Sequence, residues 1–244
     1  VEATSIIRLQ AEGPAGQGLT PLALDAADFQ SPLPEQHWHV YFNDPASGLI
    51  VGVWTTTDMH EVFGPYPGDE FMLLLDGRVA LLDEAGGETL VQAGQAFTVA
   101  NATPTSWKQV GPCRKFFVIH DPPGHAAAPG AGIGILDPMA LAGHLARHGT
   151  GCHWPGQRQT VAFASDTGAM TAGLRQGPGF SAREFSASAH ELICLTAGTL
   201  QATAADGRAQ SFGPGDVFFV PAGTRCDLKA RDPISLLFCR VAAP

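Results

Sequence analysis

Short runs of β-branched and aromatic residues recur along this chain at nearly even spacing, each closed by a turn signal. Val40-Tyr41-Phe42 and residues 49–54 flank Asn43-Asp44-Pro45-Ala46-Ser47-Gly48, which predicts a hairpin with a six-residue turn. Residues 70–75, 78–83, 89–92, 96–99 and 114–120 follow, the third after a Glu84-Ala85-Gly86-Gly87 turn. That rhythm predicts a sandwich or closed barrel of short strands. The run after Glu70 is apolar at every position to Leu75, so it predicts a strand buried on both faces. Helical spacing is rare. Residues 22–29 predict a helical turn or two, and residues 138–147, with Met139, Leu141 and Leu145 on one face, predict a short helix.

The pattern occurs twice. The frame Gly68-Asp69-Glu70 through Gly77 returns as Ala189-His190-Glu191 through Gly198, and the same offset of 121 carries Gly94 onto Gly215, Phe97 onto Phe218 and Thr103 onto Thr224. The early hairpin returns as Val161-Ala162-Phe163 and residues 169–174. An ungapped correspondence of this length predicts an internal repeat, with each copy one folding unit. Pro and Gly crowd residues 121–130, where a strand interior would hold neither, so the boundary is expected there. The expected domains are 1–124, opening with a turn-rich arm over residues 1–35, and 125–244.

Composition narrows the class of function. Charged residues are 15% of the chain against 29 Gly and 19 Pro, which suits short strands and turns better than long helices. The net charge is -9 with no basic run, so nucleic acid is not an expected partner. No apolar run approaches the roughly 18 to 20 residues of a spanning helix, and the start lacks the layout of a signal peptide. A soluble cytoplasmic protein without membrane contact is expected. Cys113, Cys152, Cys194, Cys226 and Cys239 are odd in number with no C-x-x-C pair, and are expected as free thiols, mostly buried.

The spacing of glycines and carboxylates resembles a known family. Gly179, Phe185, Ala187, Glu191 and Gly198 have the frame of the first cupin motif, and Gly215, Pro221, Ala222, Gly223 and Cys226 that of the second. In the first half, Gly52-Val53-Trp54, Gly68-Asp69-Glu70, Gly77, Gly94, Trp107 and Arg114-Lys115-Phe116-Phe117 follow the order of landmarks in the ethanolamine-utilisation-Q-like cupins, which are related to ureidoglycine aminohydrolases. The resemblance implies an all-β bicupin: two tandem double-stranded jelly-roll barrels with short connecting helices. It also implies a small-molecule ligand, of amino-acid or ureide type, and is compatible with a homodimer.

The departure from the family matters as much. Metal-dependent cupins resemble one another in two His, one Glu and a third His turned into the barrel, a set suited to Fe, Mn, Ni or Zn. At those places this chain has Phe185, Ala187, Glu191 and Cys226, and in the first half Gly64, Tyr66, Glu70 and Thr105. A count one residue longer offers Glu184 and Ser186, or Phe63 and Pro65. No metal and no other cofactor is therefore expected. The pair His37 and His39 has no Glu at a useful distance, and His144, His148 and His153 have no ordered spacing.

Candidate ligand-binding residues follow, while no catalytic residue is assigned. Glu70 and Glu191 stand in apolar strands, and a carboxylate inside a barrel must be paired, hydrogen-bonded or protonated. A structural bond or a ligand contact would each satisfy that requirement. Lys115 is either an exposed edge residue or faces Glu70 or an anion. Tyr66, Trp107 and Trp54 offer apolar area with one polar handle each, as pocket lining or as core. Cys226 is either an inert buried thiol or a nucleophile activated by Arg225. His190, next to Glu191, is expected on the opposite face of its strand, at a surface or interface.

The expected function is that of a metal-free metabolite-binding bicupin. The alternatives are an aminohydrolase or isomerase with atypical metal ligands, and a structural or regulatory protein with collapsed pockets.

Overall fold

The computed structural model describes residues 5–126 and 132–243. Its architecture is predominantly β, with several antiparallel sheets and few short helices. The strands in chain order are β1 (Ile7–Arg8), β2 (Thr20–Pro21), β3 (Gln36–Asp44), β4 (Leu49–Thr56), β5 (Met59–His60), β6 (Gly64–Pro65), β7 (Asp69–Asp76), β8 (Arg78–Leu82), β9 (Glu88–Gln92), β10 (Ala96–Val99), β11 (Pro104–Gln109), β12 (Cys113–His120) and β13 (Ile133–Leu136). After the helix α1 (Pro138–His148) come β14 (Thr150–Gly151), β15 (Arg158–Ala164), β16 (Met170–Gly177), β17 (Phe180–Ser186), β18 (Ala189–Ala197), β19 (Leu200–Ala204), β20 (Ala209–Phe212), β21 (Val217–Val220), β22 (Arg225–Ala230) and β23 (Ile234–Ala242).

The chain forms two compact units. The first holds Leu9–Leu136 together with Ser165–Thr167. The second holds the arm through Arg8, Asp137–Ala164 and the chain from Gly168 onward. Residues 127–130 of the Pro- and Gly-rich linker lie outside the described residues.

In the first unit one sheet runs β13-β10-β7-β12-β4-β3-β2, and a smaller one runs β5-β11-β8-β9 with β6 on β11. The all-apolar run predicted after Glu70 is β7. It lies between β10 and β12, hydrogen-bonded on both sides, and its residues 69–72 are all buried. Alternation then decides which side chains enter the core. Met72 and Leu74 of β7, Phe117 of β12, Trp54 of β4 and Trp107 of β11 pack in one cluster with Phe97, Val79 and Leu81. Glu70 shares the parity of Met72, and Lys115 that of Phe117. Both charged side chains therefore sit on the inner face.

The second unit has the sheet β1-β21-β18-β23-β16-β15-β14 and the sheet β17-β22-β19-β20. Its core gathers Ile193 and Leu195 of β18 with Leu236 and Phe238 of β23, Phe218, Phe212, Phe185 and Trp154. Glu191 belongs to the parity of Ile193.

Two glycines show why the strand ends need that residue. Gly77 and Gly198 have φ of +83° and +80°, and a Cβ on either would come within 2.4 Å of a proline carbonyl, Pro112 and Pro233 respectively. An L side chain there would be strained by its torsion and by contact together.

The helical expectations hold unequally. Residues 138–147 are helical, capped by the Asp137 side chain on the Met139 amide. Within residues 22–29 only Ala26–Asp28 forms a single 3₁₀ turn.

Candidate functional site

The first unit buries a charged pair among aromatic rings. Lys115 Nζ donates to Glu70 Oε1 at 2.8 Å and lies 3.1 Å from Met72 Sδ. The two side chains are 9% and 6% exposed, so this pair has left water almost completely. The ammonium sits over two indoles at once, 5.0 Å from the Trp54 ring and 4.7 Å from the Trp107 ring, and these cross edge to face. Strand register places Lys115 directly opposite Trp54 on β4 and opposite Leu74 on β7. Its stem therefore runs along β7 past Met72 to reach Glu70.

Each remaining polar atom of the cluster is also engaged. The Tyr66 hydroxyl donates to Glu70 Oε2. Trp54 Nε1 donates to Gln36 Oε1 at 2.9 Å, and Trp107 Nε1 to Gln109 Oε1 at 2.7 Å. Burial, and then the neighbouring Glu70 carboxylate, hold the Tyr66 phenol well above its ordinary range.

A second carboxylate completes this end of the unit. The Glu61 amide donates to the Trp107 carbonyl at 2.9 Å, extending the β5–β11 pairing of His60 with Lys108 by one step. Glu61 therefore shares the inner face with Trp107. Burial pushes its carboxyl up to about 7, Lys115 pulls it down, and Glu70 and Asp28 push it further up. Unlike Glu70 and Lys115, Glu61 and Tyr66 are only half-buried.

Of the sequence candidates, Glu70, Tyr66, Lys115, Trp54 and Trp107 meet in this cluster. Glu191 and Cys226 lie in the second unit. Sequence reasoning missed Glu61, whose two-residue neighbour strand carries no periodicity, and the glutamines Gln36 and Gln109 that hold the indoles.

In the second unit Glu191 is 3% exposed and meets a guanidinium. Arg175 Nη2 is 3.0 Å from Glu191 Oε1 and Nη1 is 3.3 Å from Oε2. Trp154 Nε1 donates to Oε2 at 3.1 Å, and His153 Nε2 lies 3.7 Å from the same oxygen. Arg175 is 0% exposed, with its Cζ 5.0 Å from the Trp154 ring and 4.9 Å from Phe238. Burial would raise the Glu191 carboxyl, but the charge and hydrogen bonds of Arg175 outweigh it and hold the group below its ordinary value. Burial lowers His153, and Arg175 lowers it further against the pull of Glu191. Arg175 and Trp154 were also missed.

The cation comes from a different strand in each unit. Trp54 faces Lys115 across β4 and β12, whereas Arg175 faces Leu236 across β16 and β23. Positions 54 and 175, like 115 and 236, are 121 apart.

The inward positions also settle the count left open by the sequence. Phe185, Ala187 and Cys226 are buried in the second core, while Glu184 and Ser186 are exposed. The register of β17 shifts between Ala182 and Phe185, where Glu184 takes a φ of 52°. In the first unit Gly64 pairs with Thr105, and Phe63 and Pro65 are exposed.

One expectation changes here, while Cys226 follows the inert, buried alternative: burial pushes its thiol up to about 11, and the Arg225 side chain is exposed. His190 is 7% exposed rather than at the surface, accepts from the Ala222 amide at 3.2 Å and stacks on Phe219.

Cys226 also lines a cavity of about 950 Å³ with Ile6, Ala202, Gln210 and Thr224. A second cavity of about 790 Å³, in the first unit, is lined by Asp76, Arg78, Gln92 and Arg114 among others.

Comparison with known proteins agrees with this fold. A family model described as the EutQ-like cupin domain matches residues 165–235. A solved structure from Pseudomonas syringae pv. tomato str. DC3000, of unknown function and assigned to the DUF861 family, superposes with a TM-score of 0.76 at 18% identity. The match covers 97% of this chain and 99% of that one. This is a cupin-superfamily fold. A cupin 2 conserved barrel domain protein from Leptotrichia buccalis superposes at 0.59 with 11% identity over 87% of this chain and 90% of its own. The putative glyoxylate induced protein of Pseudomonas aeruginosa superposes at 0.62 with 10% identity over 100% and 91%. No curated protein matches the sequence.

A cupin fold raises the question of a metal ion, which needs several converging N, O or S donors. The inward residues here do not fit one. Beside Glu70 stands the Lys115 ammonium, which repels a cation, and both oxygens of Glu191 are held by Arg175. Among the described residues no group of three or more His, Cys, Asp or Glu is placed to hold a metal ion. Nor is any helix among them long and apolar enough to cross a membrane.

Proposed function

We propose that this cupin binds a small polar metabolite without a metal, at the end of the first unit where Glu70, Lys115, Tyr66 and Glu61 converge. The observation that carries the reading is the Lys115 ammonium seated on Glu70 between two indoles, with half-buried Glu61 and Tyr66 beside it. The fixed cation takes the electrostatic place an ion would take. Glu61 and Tyr66 are the two charged or phenolic members of this group that keep partial exposure. Convergent polar groups with shifted acid constants in an apolar setting are what a recognition site requires.

The sealed Arg175–Glu191 pair of the second unit supports a structural role there, since Arg175 is 0% exposed. This reading goes with an architecture of two tandem jelly-roll barrels arising by duplication. In its favour stand the offset of 121 that relates Glu70 to Glu191 and the matching torsions of Gly77 and Gly198.

The test is a thermal-shift screen of small metabolites on the parent chain, Glu70→Gln and Lys115→Met. A ligand that binds only the folded state raises the midpoint with concentration. The reading predicts hits on the parent that both variants lose, while an Arg175→Lys variant that still folds keeps them. Hits retained by Glu70→Gln and Lys115→Met would place the site elsewhere.

A further inference from the structure

One end of the second unit is underfilled. On the inner face of its smaller sheet, Leu200 lies opposite Phe212, and both pack in the core with Leu228. Farther along the same face the side chains shrink. Ala202 stands between Gln210 and Leu228, and Ala204 is opposite Cys226. Protein interiors are packed as densely as organic crystals, so two alanines and a cysteine in this place leave room. The room is the cavity of about 950 Å³, whose lining includes Ile6, Ala202, Ala204, Ala222, Thr224 and Cys226. Neither Arg175 nor Glu191 lines it.

The walls of this cavity are fixed. The arm is held as β1 on β21, with Ile7 opposite Phe219. Gln210 Nε2 donates to the Ile6 carbonyl at 3.2 Å, and Arg8 donates to Asp216 and to the Ser211 carbonyl. The turn over residues 221–224 is pinned through its backbone. The Ala187 amide donates to the Thr224 carbonyl at 3.0 Å, the Gly223 amide to the Ala187 carbonyl at 2.8 Å, and the Ala222 amide to His190 Nδ1 at 3.2 Å. What stays unused in that turn is the Thr224 hydroxyl. Thr224 is 1% exposed, and its Oγ1 has no hydrogen-bond partner among the described residues. A buried hydroxyl left in that state costs stability, and a polar group bound in the cavity would complete it.

Charge narrows the class of ligand. None of the buried lining residues Ile6, Ala202, Thr224 and Cys226 is ionised, since burial keeps the Cys226 thiol protonated. The charged lining residues, Asp206, Arg208 and Arg225, are exposed, and the first two pair with each other at 2.6 Å. A charged ligand would leave water for Ile6 and the alanines without a counter-charge, which is costly.

We propose that this cavity binds a neutral small molecule, an alkyl or aryl body bearing one hydroxyl or carbonyl, with the Thr224 hydroxyl as the hydrogen-bond partner of that group. The site lies within the second unit, apart from the one proposed for the first, and takes a different class of ligand.

The experiment is equilibrium dialysis of the full chain near neutral pH against three probes on one ring system, 2-naphthol, 2-methylnaphthalene and 2-naphthoate. The expected result is that 2-naphthol binds tightest and 2-naphthoate not measurably. Thr224→Val keeps the shape and removes the hydroxyl, so it is expected to weaken 2-naphthol about fivefold and to leave 2-methylnaphthalene unchanged. Its urea midpoint without probe is expected to hold or rise. Ala204→Phe, shown folded by its Trp154 emission, fills the room and is expected to release both probes. Thr103, which the offset of 121 carries onto Thr224, also keeps a buried hydroxyl without a partner among the described residues. Thr103→Val therefore reports the turn alone and is expected to leave every affinity as in the parent. Glu70→Gln and Lys115→Met are expected to leave them too, so the two sites are scored separately. Equal binding of 2-naphthol by Thr224→Val, its retention by Ala204→Phe, tighter binding of 2-naphthoate, or no binding of any probe would each overturn the proposal and leave the first-unit reading untouched.

Discussion

Replacing Lys115 by Met tests whether the charged pair in the first unit is as buried as its geometry says. Methionine keeps most of the stem that lies along Met72 and beneath the two indoles, so packing changes little. What is lost is the partner of a carboxylate only 6% exposed. Removing one member of a buried pair costs about 3–5 kcal/mol, because the other charge is left without compensation. The two cation–π contacts add about 1–2 kcal/mol at most between them, and part of that overlaps the first figure. A loss of about 4 kcal/mol is therefore expected for Lys115→Met, and a similar loss for Glu70→Gln, which still accepts from Tyr66.

The double variant separates burial from mere contact. With both charges gone no unpaired ion remains, so the double change is expected to cost less than either single loss added to the other by at least about 2 kcal/mol. Urea unfolding followed by tryptophan emission reads this unit preferentially, since Trp38, Trp54 and Trp107 belong to it and Trp154 does not. Two transitions are to be fitted where two appear. A change below about 1 kcal/mol for Lys115→Met, or strict additivity in the cycle, would refute the reasoning, since those are the values of a solvated surface pair.

Three further outcomes follow from the same geometry. Arg175→Met is expected to destabilise the second unit by about 3–5 kcal/mol, read by the emission of Trp154, because Glu191 at 3% exposure loses both bonds of its partner. Glu61 has its folded acid constant raised from 4.5 to about 7, so its protonated form is favoured by folding. That contribution is complete below about pH 4 and is lost as pH rises through 7, by up to about 3 kcal/mol, and Glu61→Gln should flatten that slope in urea midpoints. Glu191 acts with the opposite sign: its folded value is lowered, so its contribution is present above the ordinary carboxylate range and disappears on acidification. Among the thiols, Cys226 and Cys113 are held up at about 11 and Cys194 at about 12, so brief iodoacetamide labelling near neutral pH should spare all three in the native protein and modify half-buried Cys152 first. Peptide mapping by mass spectrometry checks the order.

The strands were legible because their cause is local. Residues 70–75 are apolar without interruption, and such a run has no stable place except between two other strands. Glu70 and Glu191 could be singled out for the same reason, as charges in segments that otherwise exclude them. Their partners were much harder to read. Lys115 and Arg175 supply the same charge from β12 and β16, at positions that do not correspond by the 121-residue offset, and only strand pairing shows that both reach an equivalent carboxylate. Glu61 and Trp154 stand in irregular stretches where no periodicity marks an inward face. The choice left open for Cys226 falls to the inert thiol because Arg225 is adjacent in sequence but opposite in direction, as strand alternation requires.

The inward residues do not fit a metal ion because the Lys115 ammonium stands beside Glu70 and Arg175 holds both oxygens of Glu191. Elemental analysis tests this most directly, on untagged protein before and after incubation with Mn, Fe, Ni and Zn and desalting. The account predicts no stoichiometric metal in either sample. One equivalent of metal retained by the parent and lost by Glu70→Gln would contradict it.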